Sequence, residues 1–445
     1  MSQGLNSTRK GLDETEKLAI SGSPEVVEAV PNQVDVDYQN LSLQAIDRIL
    51  SPDFDFKPDL LARANTAYRA NAAINSTDWR KTDLMAPPEY YELVEILNEV
   101  IQSGRLPMGF PYEGDLWDQL VHNPNYIFAR LARLQFVTVL PTVYNAINAL
   151  PSLEHSDSIT VVILGVGNGD EIGDILDNFS VKGDFNKAHG KKVNFLVIDQ
   201  NIEALADLKS RFATEYPAGP ENSSIRYGDD FSIFTVQEDF TTAKLDSMFG
   251  EGSKLPEHLK SDVPRWLVIK GITSGNMEVE KLSEVGNNFL REGDLYYLDA
   301  AVAPKSLSPE YVSQVIENYD SVEFRNLASH RFYRLLGLCG VDQSEISSCF
   351  GADGRDKNLE AVHSVENGAV SVKLVYSMPE TWTKRFKKSA YVKHTVGETL
   401  KIVCYQSDRR ITDVITRSLS TDFETLQTSS LVVPQMLWYL GEKKI

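Results

Sequence analysis

Residues 159–171 read Ile-Thr-Val-Val-Ile-Leu-Gly-Val-Gly-Asn-Gly-Asp-Glu. The run 160–164 is entirely apolar or β-branched, which predicts a buried strand. Gly165, Gly167 and Gly169 follow at alternate positions and predict a tight turn into a helix. A strand that passes through a glycine turn into a helix is typical of a nucleotide-binding crevice in an α/β fold.

The spacing of these glycines indicates which nucleotide would bind. A dinucleotide fingerprint has a third glycine three residues after the second, and Asp170 stands there. Asp170 and Glu171 also place negative charge at the helix N-terminus, where a pyrophosphate would bind. The turn therefore favours a ligand with a positive centre and no phosphate, such as S-adenosylmethionine (SAM). A nucleotide-dependent oxidoreductase, or a binding protein without activity, stays the alternative.

Composition limits the classes of partner. The 445 residues carry a net charge of −19 at pH 7, whereas a phosphate-backbone binder needs a basic surface. We therefore expect no nucleic acid partner, and an acidic chain also repels anionic membranes. We find no bilayer-spanning apolar run, no apolar signal core at the N-terminus and no metal-ligand spacing of histidines. Three cysteines without a CxxC pair fit a reducing compartment. We expect a cytoplasmic protein with a small-molecule substrate and no metal, and the oligomeric state stays open.

Strands and helices alternate over residues 159–305, which predicts a parallel, doubly wound α/β sheet. The strands are predicted at 160–164, 193–198, 223–227, 265–270 and 294–300, and the helices at 171–179, 201–213, 230–240 and 278–291. Further helices are predicted within 41–103 and at 128–150, 309–319, 324–338 and 409–419, and further strands at 359–366, 370–377, 391–406, 422–428 and 434–440. Residues 108–127 are predicted to be an ordered loop. Residues 1–40 are polar with few aromatic residues, which predicts a disordered tail.

Two acidic positions follow predicted strands and are candidates for binding a nucleoside. Asp199 ends the second predicted strand, where a carboxylate can accept hydrogen bonds from both ribose hydroxyls. The run 228–231, Gly-Asp-Asp-Phe, follows the third predicted strand and offers an acid for the adenine amino group and an aromatic ring beside the base. A surface turn is an equally good interpretation of this run. The predicted cofactor residues are Gly165, Gly167, Asn168, Gly169, Asp199, Gln200, Asp229, Asp230, Phe231 and Gly271.

Charged residues elsewhere are predicted to lie at the surface. Glu171, Asp174 and Asp177 have the spacing of a solvated helix face. Residues 384–388 contain four basic side chains after Trp382 and are predicted to form a basic surface loop.

Several other segments carry a family resemblance. They are Tyr112-Glu-Gly-Asp-Leu-Trp-Asp-Gln-Leu120, Pro124-Asn-Tyr126 with Arg130, Leu267-Val-Ile-Lys-Gly271 through Asn276, Leu290-Arg-Glu-Gly-Asp294 and Val396-Gly-Glu-Thr-Leu400. In this order they resemble the histidine-specific N-methyltransferase family, the SAM enzymes that make trimethylhistidine for ergothioneine. The similarity extends over most of residues 92–445.

The resemblance implies a fold and a set of roles. The fold would be a Rossmann-like class I SAM methyltransferase domain, 128–308 and 408–445, with an inserted α+β substrate-binding domain, 41–127 and 309–407. Tyr112, Tyr126, Gly271 and Asn276 would hold the carboxylate and α-amine of an amino acid, with Tyr112 and Asn276 as the catalytic residues. Arg130 and Thr273 would also contact the substrate, and the glycine turn with Asp199, Asp230 and Phe231 would hold SAM.

The departures from the family concern the substrate side chain. In the family a Glu and a Ser hold the imidazole, and Val403 and Tyr405 stand at the matching positions. A pocket lined by Val403 and Tyr405 does not pair two imidazole nitrogens. We therefore predict N-methylation of the α-amine of a non-histidine amino acid or derivative, with an aromatic or apolar side chain. A small-molecule methyltransferase that acts on another nitrogen, oxygen or sulfur nucleophile stays open.

Overall fold

The computed structural model describes residues 57–73, 87–106, 114–123, 126–167, 169–182, 191–216, 227–248, 255–256, 259, 263–275, 277–366, 369–389, 399–432 and 435–444. All of these lie in one unit, Gln39–Ile445. The predicted tail and the candidate residues Tyr112, Asn168 and Asn276 lie outside the described residues.

A seven-stranded sheet forms the centre of the fold, and a three-stranded sheet lies apart from it. The strands are β1 (Ser158–Leu164), β2 (Lys192–Asp199), β3 (Phe231–Gln237), β4 (Arg265–Ile269), β5 (Leu295–Ala301), β6 (Leu359–Glu366), β7 (Ala369–Ser377), β8 (Lys401–Arg410), β9 (Phe423–Val432) and β10 (Gln435–Lys443). The large sheet has the order β3-β2-β1-β4-β5-β10-β9. Strands β1 to β5 are parallel, and β10 runs antiparallel to β5 and β9. The carboxyl ends of β1 to β5 therefore meet at one edge, and the order reverses between β1 and β4.

Helices cover both faces of the large sheet. They are α1 (Pro58–Ala73), α2 (Pro88–Ser103), α3 (Gly114–His122), α4 (Ile127–Asn148), α5 (Pro151–Glu154), α6 (Asp170–Lys182), α7 (Ile202–Glu215), α8 (Gly271–Gly275), α9 (Val279–Phe289), α10 (Pro309–Tyr319), α11 (Val322–Leu338), α12 (Gln343–Ser347), α13 (Glu380–Ser389) and α14 (Thr412–Leu419). Buried residues of α4, α6 and α7 share one core with the sheet, and those of α9 and α14 share another. Burial on both faces explains the continuous apolar run of β1, as expected for a parallel sheet. Among the described helices, none has both the length and the apolar character needed to cross a bilayer.

The small sheet has the order β6-β7-β8 and is antiparallel. Burial alternates along β7, where Val370, Val372, Leu374 and Tyr376 are buried. This period of two gives the sheet one apolar face. That face shares a core with buried residues of α10 and α11.

The third strand of the large sheet corrects two predictions. The structure has β3 at Phe231–Gln237, where we predicted a helix over 230–240. Tyr227 makes only an isolated bridge to Phe231, so the strand predicted at 223–227 is wrong within the described part of that segment. The run Phe-Ser-Ile-Phe-Thr-Val-Gln is aromatic and β-branched, which favours a strand beside β2 over a helix.

Three further segments differ from their predictions. Part of the predicted loop 108–127 is helix α3, and the predicted strand 391–406 is β8, which begins later, at Lys401. The predicted basic loop is helix α13, within which Lys384 pairs with Glu380 four residues earlier. Gly104 ends α2 in the left-handed conformation, with φ of 63°.

Two glycines near the start of α6 test its placement. A Cβ on Gly173 would meet nothing within 4 Å, so Gly173→Ala should raise the free energy of unfolding by about 0.5–1 kcal/mol through helix propensity. Gly169→Ala should lower it, because φ is +73° and the Cβ would collide with Leu208 of α7. Urea denaturation of both variants is the measurement, and a destabilising Gly173→Ala would contradict this placement.

Candidate functional site

The glycine turn between β1 and α6 lies where the strand order of the sheet reverses. Gly165 and Gly167 have φ of 71° and 54°, a left-handed conformation that favours glycine. A Cβ on Gly165 would lie 2.7 Å from Thr273 Oγ1, and a Cβ on Gly167 would lie 2.8 Å from Trp117 Nε1. Glycine is therefore needed here both for the backbone conformation and for the close approach of these two side chains. Gly169 instead lets α6 pack against Leu208, so its role is packing.

Asp199, the last residue of β2, holds the glycine turn. Its Oδ2 accepts a hydrogen bond from the Val166 amide at 2.9 Å, and its Oδ1 accepts one from the Asn201 amide at 2.8 Å. Burial raises the pKa of Asp199, and these backbone donors oppose the shift. The side chain lines the same cavity as the glycine turn, so the predicted position of this acid beside the turn is confirmed.

The acidic residues and the phenylalanine of the run 228–231 precede the third strand, whereas we predicted that they follow it. Phe231 begins β3 and pairs with Val193 near the start of β2, so Asp229, Asp230 and Phe231 lie at the amino edge of the sheet. Their predicted cofactor contacts are therefore wrong. A second acid–aromatic pair, Asp239-Phe240, follows β3 at the carboxyl edge and lines the cavity.

Asp239 lies next to Asp199 at that edge. The amide of Glu238 donates to the Asp199 carbonyl at 3.1 Å, which extends the pairing of β2 with β3. Asp239 Oδ1 accepts bonds from both the amide and the hydroxyl of Thr241, at 2.9 and 2.7 Å. Both bonds use Oδ1, so Oδ2 is the oxygen placed to accept a bond from a ligand in the cavity.

Cations neutralise the acidic first turn of α6. This corrects the prediction of a solvated acidic face and the prediction that charge at this turn favours a cationic ligand. Arg133 Nη1 lies 3.0 Å from Asp170 Oδ2, and Arg133 Nη2 lies 2.9 Å from Asp174 Oδ1. Lys270 Nζ lies 3.1 Å from Glu171 Oε1. Asp174 is buried and Glu171 nearly so, so only Asp177 of the predicted solvated face is exposed. The first turn therefore offers paired carboxylates, and its negative charge does not by itself select a cationic ligand.

Lys270 is a nearly buried ammonium group at the end of β4, with its side chain 13% exposed. Its Nζ lies 4.7 Å from the centre of the Phe136 ring, in addition to its bond with Glu171. Burial alone would lower the pKa of Lys270, but the charges of Glu171 and Asp299 outweigh it and raise the pKa above its usual value. Lys270 is therefore a fixed cation at neutral pH.

A cavity of about 1180 Å³ opens at the carboxyl edge of the sheet. The residues of the sheet edge that line it include Gly165, Gly167, Asp170, Glu171, Asp199, Gln200, Asp239, Phe240, Lys270 and Thr273. Strand β8 and helix α11 also contribute to the lining, through Arg331, Val403, Tyr405, Gln406 and Arg409. The volume suits a ligand larger than a single small metabolite.

Some of the predicted substrate residues line this cavity. Arg130, Thr273, Val403 and Tyr405 line it. Tyr126 is 1% exposed and packs 5.7 Å from Phe324, outside the lining. Gly271 begins α8 directly after Lys270.

The sequence analysis missed several residues that line the cavity. Trp117 and His122 come from α3, and Arg331 and Arg409 come from α11 and β8. No local pattern marks these four, because each reaches the cavity from an element distant in sequence. Asp239-Phe240 did carry a signal, since it repeats the acid–aromatic pattern of 230–231.

Comparisons with known proteins give likenesses of structure alone. No family model matches the chain, and no curated protein matches it. A SAM-dependent methyltransferase from Clostridium acetobutylicum is 10% identical, with 80% of this chain and 99% of that chain covered and a TM-score of 0.29. DesVI of Streptomyces venezuelae is 9% identical, with 72% and 98% covered and a TM-score of 0.29. The sugar N-methyltransferase KedS8 of a Streptoalloteichus species is 7% identical, with 65% and 81% covered and a TM-score of 0.26.

At these identities and TM-scores the likenesses carry no argument about function. The fold follows from the topology of the large sheet, in which β9 and β10 are the sixth and seventh strands. The order 3-2-1-4-5-7-6, with only the seventh strand antiparallel to its neighbours, is the Rossmann-like arrangement of class I SAM methyltransferases. The predicted α/β fold class is confirmed.

The buried pair Lys270–Glu171 should be coupled in stability. Removing one partner leaves the other charge buried, so Lys270→Met or Glu171→Gln alone should cost about 3 kcal/mol or more. The double variant should cost at least about 1 kcal/mol less than the sum of the single costs. A double-mutant cycle by denaturant unfolding measures this.

The exposed pair Lys281–Glu284, 2.6 Å apart with side chains 37% and 52% exposed, is the matched control. Its coupling in the same cycle should stay below about 1 kcal/mol. Equal coupling in the two pairs would show that Lys270 and Glu171 are not buried together.

Proposed function

We propose that the chain is a SAM-dependent methyltransferase that N-methylates the α-amine of a non-histidine amino acid or a close derivative. The observation that carries the proposal is the pair of carboxylates, Asp199 and Asp239, which line the same cavity as the glycine turn at the carboxyl edge of the sheet. Ligands of open α/β sheets bind at this edge, at the point where the strand order reverses.

The residues present fit SAM. Gly165 and Gly167 let Thr273 and Trp117 approach the turn closely. Both glycines also line the cavity, so a ligand in it can contact the turn. In this proposal Asp199 accepts bonds from the ribose hydroxyls, and Asp239 accepts one from the adenine amino group. Phe240, 8% exposed and part of the lining, supplies an apolar surface for the base.

SAM, when bound, supplies a methyl group on a sulfonium, whose departure needs no acid. The protein's own task is orientation, since a nucleophile held in line at about 3 Å removes much of the entropic barrier. Trp117, Thr273 and Tyr405 line the cavity, and in this account they exclude water from the reacting atoms. In this account Tyr112 and Asn276 orient the α-amine, a role implied by the family resemblance.

The account needs no dedicated base. The substrate amine must be neutral to attack, and partial burial beside tyrosine hydroxyls favours the neutral form. Lys270 does not take the proton, because Glu171 and Asp299 keep it protonated by raising its pKa. The amine therefore loses its proton to water.

We further propose that the small sheet, with α10 and α11, belongs to a substrate-binding domain inserted in the methyltransferase domain. The support is that β8 and α11 of this layer contribute residues to the lining of the cavity that the glycine turn also lines. The boundaries of this domain, 41–127 and 309–407, remain a prediction. Membership of the histidine-specific N-methyltransferase family also remains a prediction.

Asp239 and Asp229 provide a matched test of the cofactor site. Asp239→Asn should weaken SAM binding about tenfold, because the amide nitrogen cannot accept the bond from an adenine amino group. Asp229→Asn, an exposed acid at the amino edge, should bind SAM as the parent does. Calorimetry with SAM and with NADH is the measurement. Binding of NADH in place of SAM, or loss of affinity in Asp229→Asn alone, would overturn the proposal.

The pH dependence of methyl transfer tests the absence of a base. The rate should rise with pH through the pKa of the substrate amine, since only the neutral amine reacts. The midpoint should move when amino acids are replaced by their esters, whose amines are less basic. Product mass, measured with SAM and a panel of primary and secondary amines, identifies the substrate and follows the rate.

Two results would contradict this. A midpoint that stays fixed for all amines would assign the titrating proton to a group of the protein. Transfer to no amine, with transfer to an oxygen or sulfur nucleophile, would replace N-methylation by another methyl transfer.

A further inference from the structure

One carboxylate oxygen at the start of α6 lacks a hydrogen-bond partner among the described residues. It is Glu171 Oε2, which is buried, whereas Oε1 of the same group lies 3.1 Å from Lys270 Nζ. Asp174, three residues later, differs, because Arg133 Nε donates to both of its oxygens at 3.2 Å. Lys270 therefore balances the charge of Glu171 but leaves one of its oxygens without a donor.

A buried acceptor of this kind calls for a donor. Leaving it unpaired costs free energy, and the Glu171 side chain, 13% exposed, recovers little of that cost from solvent. Native structures match such atoms with a ligand, an ion or an ordered water. Glu171 lines the same cavity as the glycine turn, so a molecule bound in the cavity can supply the donor.

The surroundings of Glu171 favour a donor that is positively charged. Burial opposes the charge of Lys270, yet the pKa of Lys270 is raised, because the charges of Glu171 and Asp299 act on it. The attraction that keeps Lys270 protonated also acts on a cation bound at Oε2 of the same carboxylate. A hydrogen bond from an ammonium to a carboxylate is also about twice as strong as a neutral one.

The order of the strands shows which end of SAM would meet Glu171. Strands β3, β2, β1 and β4 lie side by side in that order. In the proposed function, adenine lies at Asp239 after β3 and the ribose at Asp199 after β2. The rest of the cofactor then continues past the glycine turn after β1, towards β4. Glu171 follows that turn and Lys270 follows β4, so this pair lies at the methionine end.

We propose that Glu171 Oε2 accepts a hydrogen bond from the ammonium group in the methionine half of SAM, and that Lys270 is the positioning residue that orients this carboxylate. The inference rests on the proposed function, since it takes SAM as the cofactor. An amino acid substrate carries the same ammonium group. Its nitrogen must lose a proton to react, and a carboxylate bound to it would favour the charged form. Glu171 therefore binds the cofactor and not the nucleophile.

Three ligands that differ by single groups test the contact in the parent protein. They are S-adenosylhomocysteine, its deaminated analogue, which lacks the ammonium group, and its decarboxylated analogue, which keeps it. Calorimetry gives the affinity for each. The deaminated analogue should bind about tenfold or more weakly than S-adenosylhomocysteine, because Oε2 then stays without its donor.

Variants assign this difference to Glu171. Glu171→Gln keeps the size of the side chain and removes its charge, so the ratio of the affinities for S-adenosylhomocysteine and the deaminated analogue should fall about tenfold. Its affinity for the decarboxylated analogue should fall by the same factor. A purely structural role would weaken all three ligands equally and leave the ratio unchanged. The double variant Glu171→Gln/Lys270→Met, which removes both charges of the pair, should show the same fall in the ratio if Glu171→Gln alone does not fold.

An exposed pair of the same residue types provides the matched control. Glu380 and Lys384 of α13 lie 2.7 Å apart, with side chains 77% and 70% exposed, and neither lines the cavity. Glu380→Gln should therefore leave the ratio of affinities as it is in the parent protein.

The outcomes separate this inference from the proposed function. Equal affinity of the parent protein for S-adenosylhomocysteine and the deaminated analogue would overturn the contact and leave SAM as the cofactor. A ratio that Glu171→Gln and the double variant both retain would overturn it too. If Glu171→Gln instead raised only the KM for the amine, Glu171 would belong to the substrate site. A parent protein that binds none of the three ligands would overturn the methyltransferase proposal together with this contact.

Discussion

The carboxylate of Asp199 holds the site together. This carboxylate accepts hydrogen bonds from the amide of Val166 in the glycine turn and from the amide of Asn201 at the start of α7. The backbone carbonyl of Asp199 accepts a further bond from the amide of Glu238 after β3. One residue thus fixes the ends of three adjacent strands relative to one another. Because the turn has left-handed glycines, its backbone cannot be held by side chains of its own. The shape of the cavity depends on this single carboxylate.

Charge in the cavity is arranged by pairing and by position. The carboxylates that begin α6 are neutralised by Arg133 and Lys270, so the potential at the turn depends mainly on the acids after β2 and β3. Arg409, in the part of the lining contributed by β8, is bound to the hydroxyl of Tyr319. Groups fixed in this way can orient a substrate before it reacts. Orientation of this kind is what an uncatalysed methyl transfer lacks.

The strongly periodic part of the fold could be predicted from the sequence, and the contacts between distant elements could not. The run 160–164, its glycine turn and Asp199 were found because buried strands of a parallel sheet are continuous apolar runs. The acid–aromatic pattern occurs at both ends of β3, as 230–231 and 239–240, and only the position of the strand tells which end faces the cavity. The ion pairs of α6 join residues far apart in the chain, so the sequence showed the acids without their partners.

The central claim is that the cavity beside the glycine turn binds an adenosyl sulfonium compound. A crystal structure of the protein with S-adenosylhomocysteine tests it most directly. The account predicts the ribose hydroxyls within hydrogen-bonding distance of the Asp199 carboxylate and the adenine beside Phe240, with the thioether sulfur directed towards the wall of β8. Adenosine bound at the amino edge near Asp229, or a cavity that takes up a nicotinamide dinucleotide and leaves the thioether compound in solution, would contradict it.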